Sequence, residues 1–279
     1  MSSIATVTET LRMASRELVR CSDSPRLDAE VLLGKVLGLS RAALIARGDE
    51  PLAPENRSAY STLIAGRLAG APVAYLTGKR EFWSLTLAVT PAVLVPRPET
   101  ETLVELALQL LPPDQQHSIL DLGTGSGAIA LALATERPRC RITAIDVSPE
   151  ALTVAVGNSH ALKIEHIDWR LGSWFDAVPG ERFDLIVANP PYVAATDPAL
   201  KRLAAEPMLA LAPGPTGLEA LSAIIAGAPL HLNEPGWLVL EHGNEQPTEV
   251  ANLLGRHGFT GIRSHPDGSG RLRVTQGTI

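Results

Sequence analysis

From Pro98 onward, short apolar runs of strand type alternate with longer segments of helical period, and that alternation leaves few folds open. Strand-type runs fall at 118–122, 141–146, 166–171, 184–188, 236–241 and 271–276. Helix-type segments fall near 99–111 and at 126–136, 149–160, 217–231 and 246–257. Strands separated by helices pair in parallel, because each crossover consumes a dozen or more residues, and the helices then cover both faces of the sheet. The expected class is therefore α/β with a mostly parallel sheet, whose ligands sit beyond the carboxyl ends of the strands. Residues 207–215 read as a loop.

The chain before this alternation has a different pattern. Leu27, Val31, Leu32, Val36 and Leu39 recur at helical spacing, as do Tyr60, Leu63, Ile64 and Leu68, so residues 1–75 are expected to form a small helical domain. Asp23 or Ser24 before Pro25 marks a helix start, and residues 48–54 a break. Residues 76–97, with REFWSLTLAV at their centre, lack a helical period and read as a β connector of one or two strands forming a hairpin; residues 98–279 make up the α/β domain.

Charge divides along the same line. Residues 1–80 hold 11 basic and 8 acidic side chains, against 13 and 22 in the remainder, for a net charge of −6 over 279 residues. An acidic chain has no general attraction to phosphate backbones, so no direct nucleic-acid contact is expected. No apolar run approaches the ~20 residues that span a bilayer, and no secretory leader pattern opens the chain; a cytoplasmic protein without membrane contact is expected. Cys21 and Cys140 stand alone, outside any ligand spacing, which points to packing rather than to disulfide or metal chemistry, in a reducing compartment.

Three segments carry candidate chemistry. In ILDLGTGSG an apolar strand runs into Gly123, Thr124, Gly125, Ser126 and Gly127 and then into a helix. Glycines permit a tight turn and close approach of backbone to a ligand, while free amides at a helix start favour electronegative groups. Gly123, Gly125 and Ala128 also satisfy the dinucleotide fingerprint, so NAD and S-adenosylmethionine both remain open here. Asp146 closes the next strand, where a carboxylate can accept both ribose hydroxyl hydrogens or cap the following helix, with Ser148 as the other candidate cap. The third segment discriminates. Asn189-Pro190-Pro191-Tyr192 ends a buried strand; two prolines stiffen the loop and remove N–H donors, leaving the Asn189 side chain and the Pro190 carbonyl as acceptors for a substrate NH2. Tyr192 can cover the flat face of a planar amide or amine. Hydride transfer needs no such group.

LDLGTGSG, AIDVSPEAL and NPPY together resemble the class I S-adenosylmethionine-dependent methyltransferases that act on planar amino nitrogens, a Rossmann-like fold. PVAYLTGKREFWSL, VLVPRPETETLVE, GSWFD (172–176), EP (206–207) and LEHG (240–243) narrow the resemblance to the peptide chain release factor glutamine methyltransferases, the HemK/PrmC family, from about residue 25 to the end. The resemblance implies S-adenosyl-L-methionine as cofactor, S-adenosyl-L-homocysteine as product, and methylation at N5 of the glutamine in the Gly-Gly-Gln loop of bacterial class 1 release factors. It places Gly123 to Gly127 on the methionine and ribose side of the cofactor, Asp146 on the ribose, Trp174 beside the adenine, and Asn189 between cofactor and substrate. Pro190, Pro191 and Tyr192 complete the amide pocket. The helical N-terminal domain is implied to dock the release factor. Arg97 and Glu101 of PRPETE could position a loop over the methionine end, although Glu99 suits the dipole of the helix that begins at Pro98. No metal and no general base are implied, and the chain is expected to act as a monomer. Asn158-Ser159, where the family shows an Asn-Ala pair, is expected to weaken its helix without touching the pocket. A ribosomal-protein glutamine methyltransferase and a DNA adenine-N6 methyltransferase share the chemistry and stand as alternatives.

Overall fold

A computed structural model describes residues 5–279. By internal packing the chain separates into two units, Met1–Lys79 and Arg80–Ile279. The first is helical: α1 (Val7–Leu18), α2 (Pro25–Leu37), α3 (Arg41–Ala46), α4 (Pro54–Leu68) and α5 (Val73–Thr77). Thr6 opens α1 with a reciprocal capping box to Glu9, which satisfies two amides that a helix start otherwise leaves unpaired. Ser24 precedes α2 and Pro25 occupies its first turn, the position where a missing N–H costs nothing. Leu11 and Leu18 of α1, Leu32 and Leu33 of α2, and Tyr60 and Ile64 of α4 close a core belonging to this unit alone. Arg67 ties its ends together, pairing with the Asp28 carboxylate at 2.8 Å and donating to the Cys21 carbonyl at 3.2 Å.

The second unit opens with a hairpin, β1 (Lys79–Phe82) and β2 (Leu85–Ala88). Its two turn residues, Trp83 and Ser84, have φ of 50° and 60°, the left-handed pair that matches the twist of a two-residue hairpin. The connector thus consists of two strands. There follow α6 (Glu101–Leu110), β3 (Ser118–Leu122), α7 (Ala128–Glu136), β4 (Arg141–Asp146), α8 (Pro149–Leu162), β5 (Ile167–Leu171) and β6 (Phe183–Ala188). The chain ends with α9 (Glu219–His231), β7 (Leu232–Glu241), α10 (Pro247–Arg256), β8 (Thr260–Pro266) and β9 (Leu272–Thr278).

Seven strands form one sheet in the order β5-β4-β3-β6-β7-β9-β8. The first five are parallel, and β9 runs antiparallel to both of its neighbours. Side chains alternate between the faces as the pleat requires. Ile119, Ile142, Leu185 and Val187 join α6 and α7 in one core, while Leu120, Leu122, Ile186 and Ala188 join α9 and α10 in the other. The chain builds outward from β3 to β5 and then returns to place β6 on the other side of β3, so the crevice between β3 and β6 is the topological switch point. Among the described residues, no helix is long and apolar enough to cross a membrane.

Three features differ from the sequence expectations. α5 runs to Thr77, past the expected boundary at residue 75, β7 begins four residues before the expected 236, and β8 was not expected at all. In TGIRSHP only Ile262 is apolar, and an edge strand that buries so little lacks the alternation by which strands are read.

Candidate active site

A cavity of about 460 Å³ lies over the carboxyl ends of β3, β4 and β6, within the range of small-molecule sites. Gly123, Thr124, Gly125, Ser126, Asp146, Trp174, Asn189 and Pro191, eight of the expected residues, line it. Gly127, Pro190 and Tyr192 do not.

The glycine loop turns from β3 into α7. Gly123 and Thr124 donate their amides to the Ile145 carbonyl at 2.9 and 3.0 Å, stitching the loop to the end of β4. Gly127 has φ +82°, and a Cβ there would meet Trp169, Leu131 and Ala155 at 3.0–3.2 Å. Its role is to let α7 start tight against the core rather than to face the cavity. Gly127 before α7 has no side chain with which to cap it, and the Ala130 amide of the first turn is directed to the buried Asp121 carboxyl. Asn158, buried on α8, donates to the Ser126 carbonyl at 2.9 Å and exchanges two hydrogen bonds with the Ala88 backbone. It lies outside the cavity, yet it braces the loop that forms one wall.

Asp146 accepts from the Gly125 amide at 2.8 Å and the Ser148 amide at 2.9 Å. Burial pushes its carboxyl upward, against the pull of the Ser148, Gly125 and Val147 amides. The helix-cap role falls to Ser148, whose Oγ accepts from Ala151; with three amides on its four lone-pair sites, the Asp146 carboxylate keeps acceptor capacity for a ligand. Below the loop, burial drives Asp121 up to about 7 although the Thr124 hydroxyl donates to it at 2.6 Å. Trp174 follows β5 with φ +47° and packs its ring 3.6 Å from where a Gly123 Cβ would be, presenting a flat apolar wall opposite the glycine loop.

At the end of β6, Asn189 Nδ2 donates to Thr100 Oγ1 at 3.1 Å, which leaves Oδ1 as the amide's free end. Pro190 is buried. The Tyr192 hydroxyl donates to Glu241 Oε1 at 3.1 Å, and its carbonyl accepts from Gln246 Nε2 at 3.1 Å. Tyr192 therefore holds the loop from behind. Gly217, at φ +79°, passes so close that a Cβ would stand 2.4 Å from the Tyr192 carbonyl oxygen. Arg97 lines the cavity and pairs with the buried Glu206 carboxylate, which also accepts from the Val95 amide at 3.1 Å. Glu101 accepts from the Trp83 amide at 2.9 Å and so serves the hairpin.

A glycine loop, a strand-end carboxylate and an aromatic wall suit a nucleoside-bearing cofactor; an oriented amide oxygen on a stiff loop suits a substrate N–H. Thr100, Glu241 and Asp121 complete the arrangement and were not singled out by sequence reasoning, while Asn158, read there only as weakening its helix, braces the glycine loop. Thr100 and Glu241 lie in PRPETE and LEHG, but nothing in either motif shows that they hold Asn189 and Tyr192.

Two families match the chain: PrmC N-terminal domain over residues 9–78 and Methyltransferase small domain over residues 99–258. The Release factor glutamine methyltransferase of Xylella fastidiosa strain Temecula1 is 49% identical, over 90% of this chain and 92% of that protein. The proteins of the same name from Salmonella typhimurium and Escherichia coli K12 are 46% and 44% identical, covering 93% and 96% of this chain and 94% and 96% of theirs. Among solved structures, the Thermus thermophilus 16S rRNA N2 G1207 methyltransferase in complex with AdoMet and guanosine superposes with a TM-score of 0.56 at 19% identity, over 72% of this chain and 49% of that one. A methyltransferase from Pyrococcus furiosus superposes at 0.54 and 18%, over 70% and 88%. At such identities these structures establish the fold.

Proposed function

Because the chain belongs to the release factor glutamine methyltransferase family, we propose that the cavity at β3, β4 and β6 transfers methyl groups to a side-chain amide. The protein is an enzyme that methylates a release-factor glutamine. The finer assignment is N5 of the glutamine in the Gly-Gly-Gln loop of class 1 release factors. The observation that carries it is the held orientation of Asn189, Nδ2 on Thr100 and Oδ1 free, at the strand end next to the cofactor-type wall.

S-adenosylmethionine would supply a sulfonium methyl group to the glutamine nitrogen: the N–CH3 bond forms as the S–CH3 bond breaks, S-adenosylhomocysteine leaves, and one amide N–H proton is released to water. Gly123 to Ser126 and Asp146 would hold its methionine and ribose portions, and Trp174 its adenine. An amide nitrogen is a weak nucleophile because its lone pair is delocalised, so positioning and exclusion of water must supply most of the acceleration. Asn189 Oδ1 accepts an amide hydrogen, fixing the nitrogen and favouring the positive charge that grows on it. Pro191 stiffens the loop, while Tyr192 anchors it from outside the cavity. Glutamate offers no N–H and would leave the Asn189 acceptor unpaired, at about 1–3 kcal/mol. The helical unit, residues 1–75, is assigned to docking of the release factor.

Peptide mass spectrometry of an unmethylated release factor, incubated with this protein and S-adenosylmethionine, tests the reading. One added methyl on the Gly-Gly-Gln glutamine is expected. Methylation elsewhere, or none while calorimetry shows the cofactor bound, would reject the substrate and keep the cofactor site.

A further inference from the structure

Two consecutive prolines stiffen the stretch from Asn189 to Tyr192 and strip residues 190 and 191 of their N–H groups, so no backbone donor between its ends can tie it to the rest of the fold. Its position is set at the ends. At one end Asn189 follows Ala188 of β6, which lies in register between Leu122 and Leu240. At the other stands Tyr192, whose hydroxyl donates to Glu241 and whose carbonyl accepts from Gln246 Nε2, both at 3.1 Å. Gln246 lies just before α10 and uses its whole side-chain amide. Its Oε1 accepts from the Gly243 amide at 2.8 Å, and its Nε2 also donates to the Gly217 carbonyl at 3.3 Å. Two glycines make room for it: a Cβ at Gly217 would stand 3.1 Å from Nε2, and one at Gly243 3.0 Å from Oε1. One side chain thus joins the loop after β6, the entry to α9 and the end of β7.

We propose that Gln246 is a positioning residue of the amide pocket: acting through the Tyr192 carbonyl, it sets where the Asn189–Tyr192 loop stands against the cofactor wall, and so the line along which a substrate nitrogen meets the methyl group. This role deepens the amide-methyltransferase reading above and rests on it. Gln246 can act in one orientation only. Its partners are one donor and two acceptors, the complement of an amide's oxygen and two hydrogens; turned over, it would set Nε2 against the Gly243 N–H and Oε1 against two carbonyls. The local turn fixes the choice, because the Gln246 amide donates back to the Gly243 carbonyl at 3.0 Å and closes residues 243–246 around the side chain's own oxygen. Since the two prolines do not bend, a shift of Tyr192 is carried to Asn189 rather than absorbed. Gln246 itself does not line the cavity, and it bonds none of the glycine loop, Asp146 or Trp174, which hang on β3, β4 and the segment after β5. Losing it therefore moves the substrate side of the site and spares the cofactor side.

The test uses Gln246→Glu, which keeps an acceptor for Gly243 and sets its other oxygen against the two carbonyls, and Gln246→Met, which keeps the volume and removes all three bonds without adding charge. Both are made in the full-length protein and assayed on an intact release factor, with kcat expressed per S-adenosylmethionine site counted by calorimetry, so that unfolded molecules do not enter the rate. Both variants are expected to bind S-adenosylmethionine within twofold of wild type and to keep KM for the release factor within threefold. Their kcat should fall tenfold or more, since displacing a reacting group by roughly 1 Å costs on the order of 10²-fold. The 15N side-chain resonances of Asn189, which need no substrate, should move in both variants, while the backbone amides of Gly123 and Gly125 stay in place. Wild-type kcat per site, a loss confined to KM or to cofactor affinity, or unmoved Asn189 resonances in both variants would overturn the proposal. A wild-type protein that left the release factor unmethylated would reject the functional reading, while the Asn189 resonances would still decide the positioning.

Discussion

Removing the Asn189 side chain separates binding from turnover, because the cofactor wall is built from β3, β4 and the segment after β5 whereas the substrate acceptor stands alone at the end of β6. Asn189→Ala is expected to lower kcat on the order of 10²-fold or more, the scale of losing one preorganised polar group from a reacting centre. S-adenosylmethionine affinity by calorimetry should stay within a few fold, and normal turnover would sink the pocket assignment. Asp121 offers a test through stability instead. Its folded-state value, about 7 against an ordinary 3.8, means that the folded protein holds this proton more tightly than the unfolded chain. Its contribution is therefore complete below about pH 4 and is lost as pH rises through about 7. Asp121→Asn should flatten that part of the pH–stability curve, so that its unfolding free energy in urea, relative to wild type, improves by a few kcal/mol between pH 4 and pH 8, at about 1.4 kcal/mol per pH unit of the window. An identical slope in both proteins would show that Asp121 ionises normally. At this scale Trp174 came only from the family resemblance, while the glycine loop, Asp146 and Asn189 were legible as cavity residues because each sits at a predictable place after a strand. Thr100, Asn158 and Glu241 were not. Their partners lie 89, 32 and 49 residues away, and no local pattern records such a pairing.

Elements were legible where they bury one face or two. β3, β4 and β6 are near-continuous apolar runs, and they lie where the periodicity put them. β8 escaped notice because it is an edge strand with little burial. Residues 207–215 were readable only as a loop, since what ties them down lies elsewhere in the chain: the Val193 and Ala195 amides donate to the Leu211 and Gly214 carbonyls, and Glu206 just before them pairs with Arg97 and accepts from the Val95 amide. Pro207, Leu209, Ala212 and Pro213 of this segment line the cavity, with Leu209 63% exposed, so a mobile segment would mean a leaking wall. Glu206→Ala leaves the Val95 amide without its partner and Arg97 without its counter-charge. Hydrogen exchange over residues 193–213 is expected to quicken by tenfold or more with the strands unchanged; uniform exchange would show that the segment holds itself. Gly127→Ala tests the entry to α7: a left-handed φ together with contacts of 3.0–3.2 Å should cost roughly 2 kcal/mol in urea unfolding.

The molecule as a whole divides its labour along the chain. Every residue that lines the cavity lies between Phe82 and Ala220, within the unit Arg80–Ile279, while the helical unit has a core of its own from α1, α2 and α4. Cofactor binding then asks nothing of residues 1–79, whereas engaging a folded release factor asks for more surface than one glutamine offers. A chain beginning at residue 80 is expected to bind S-adenosylmethionine within threefold of the full-length protein. It should methylate an intact release factor at least tenfold more slowly, with the loss in KM rather than kcat, because a docking surface contributes binding that is the same in ground and transition states. A short peptide carrying Gly-Gly-Gln, too small to reach a docking surface, should be methylated equally by both proteins. If the truncated protein matched the full chain on the intact release factor, the helical unit would need another purpose. If it bound the cofactor and failed on the peptide as well, the helices would have to shape the site itself.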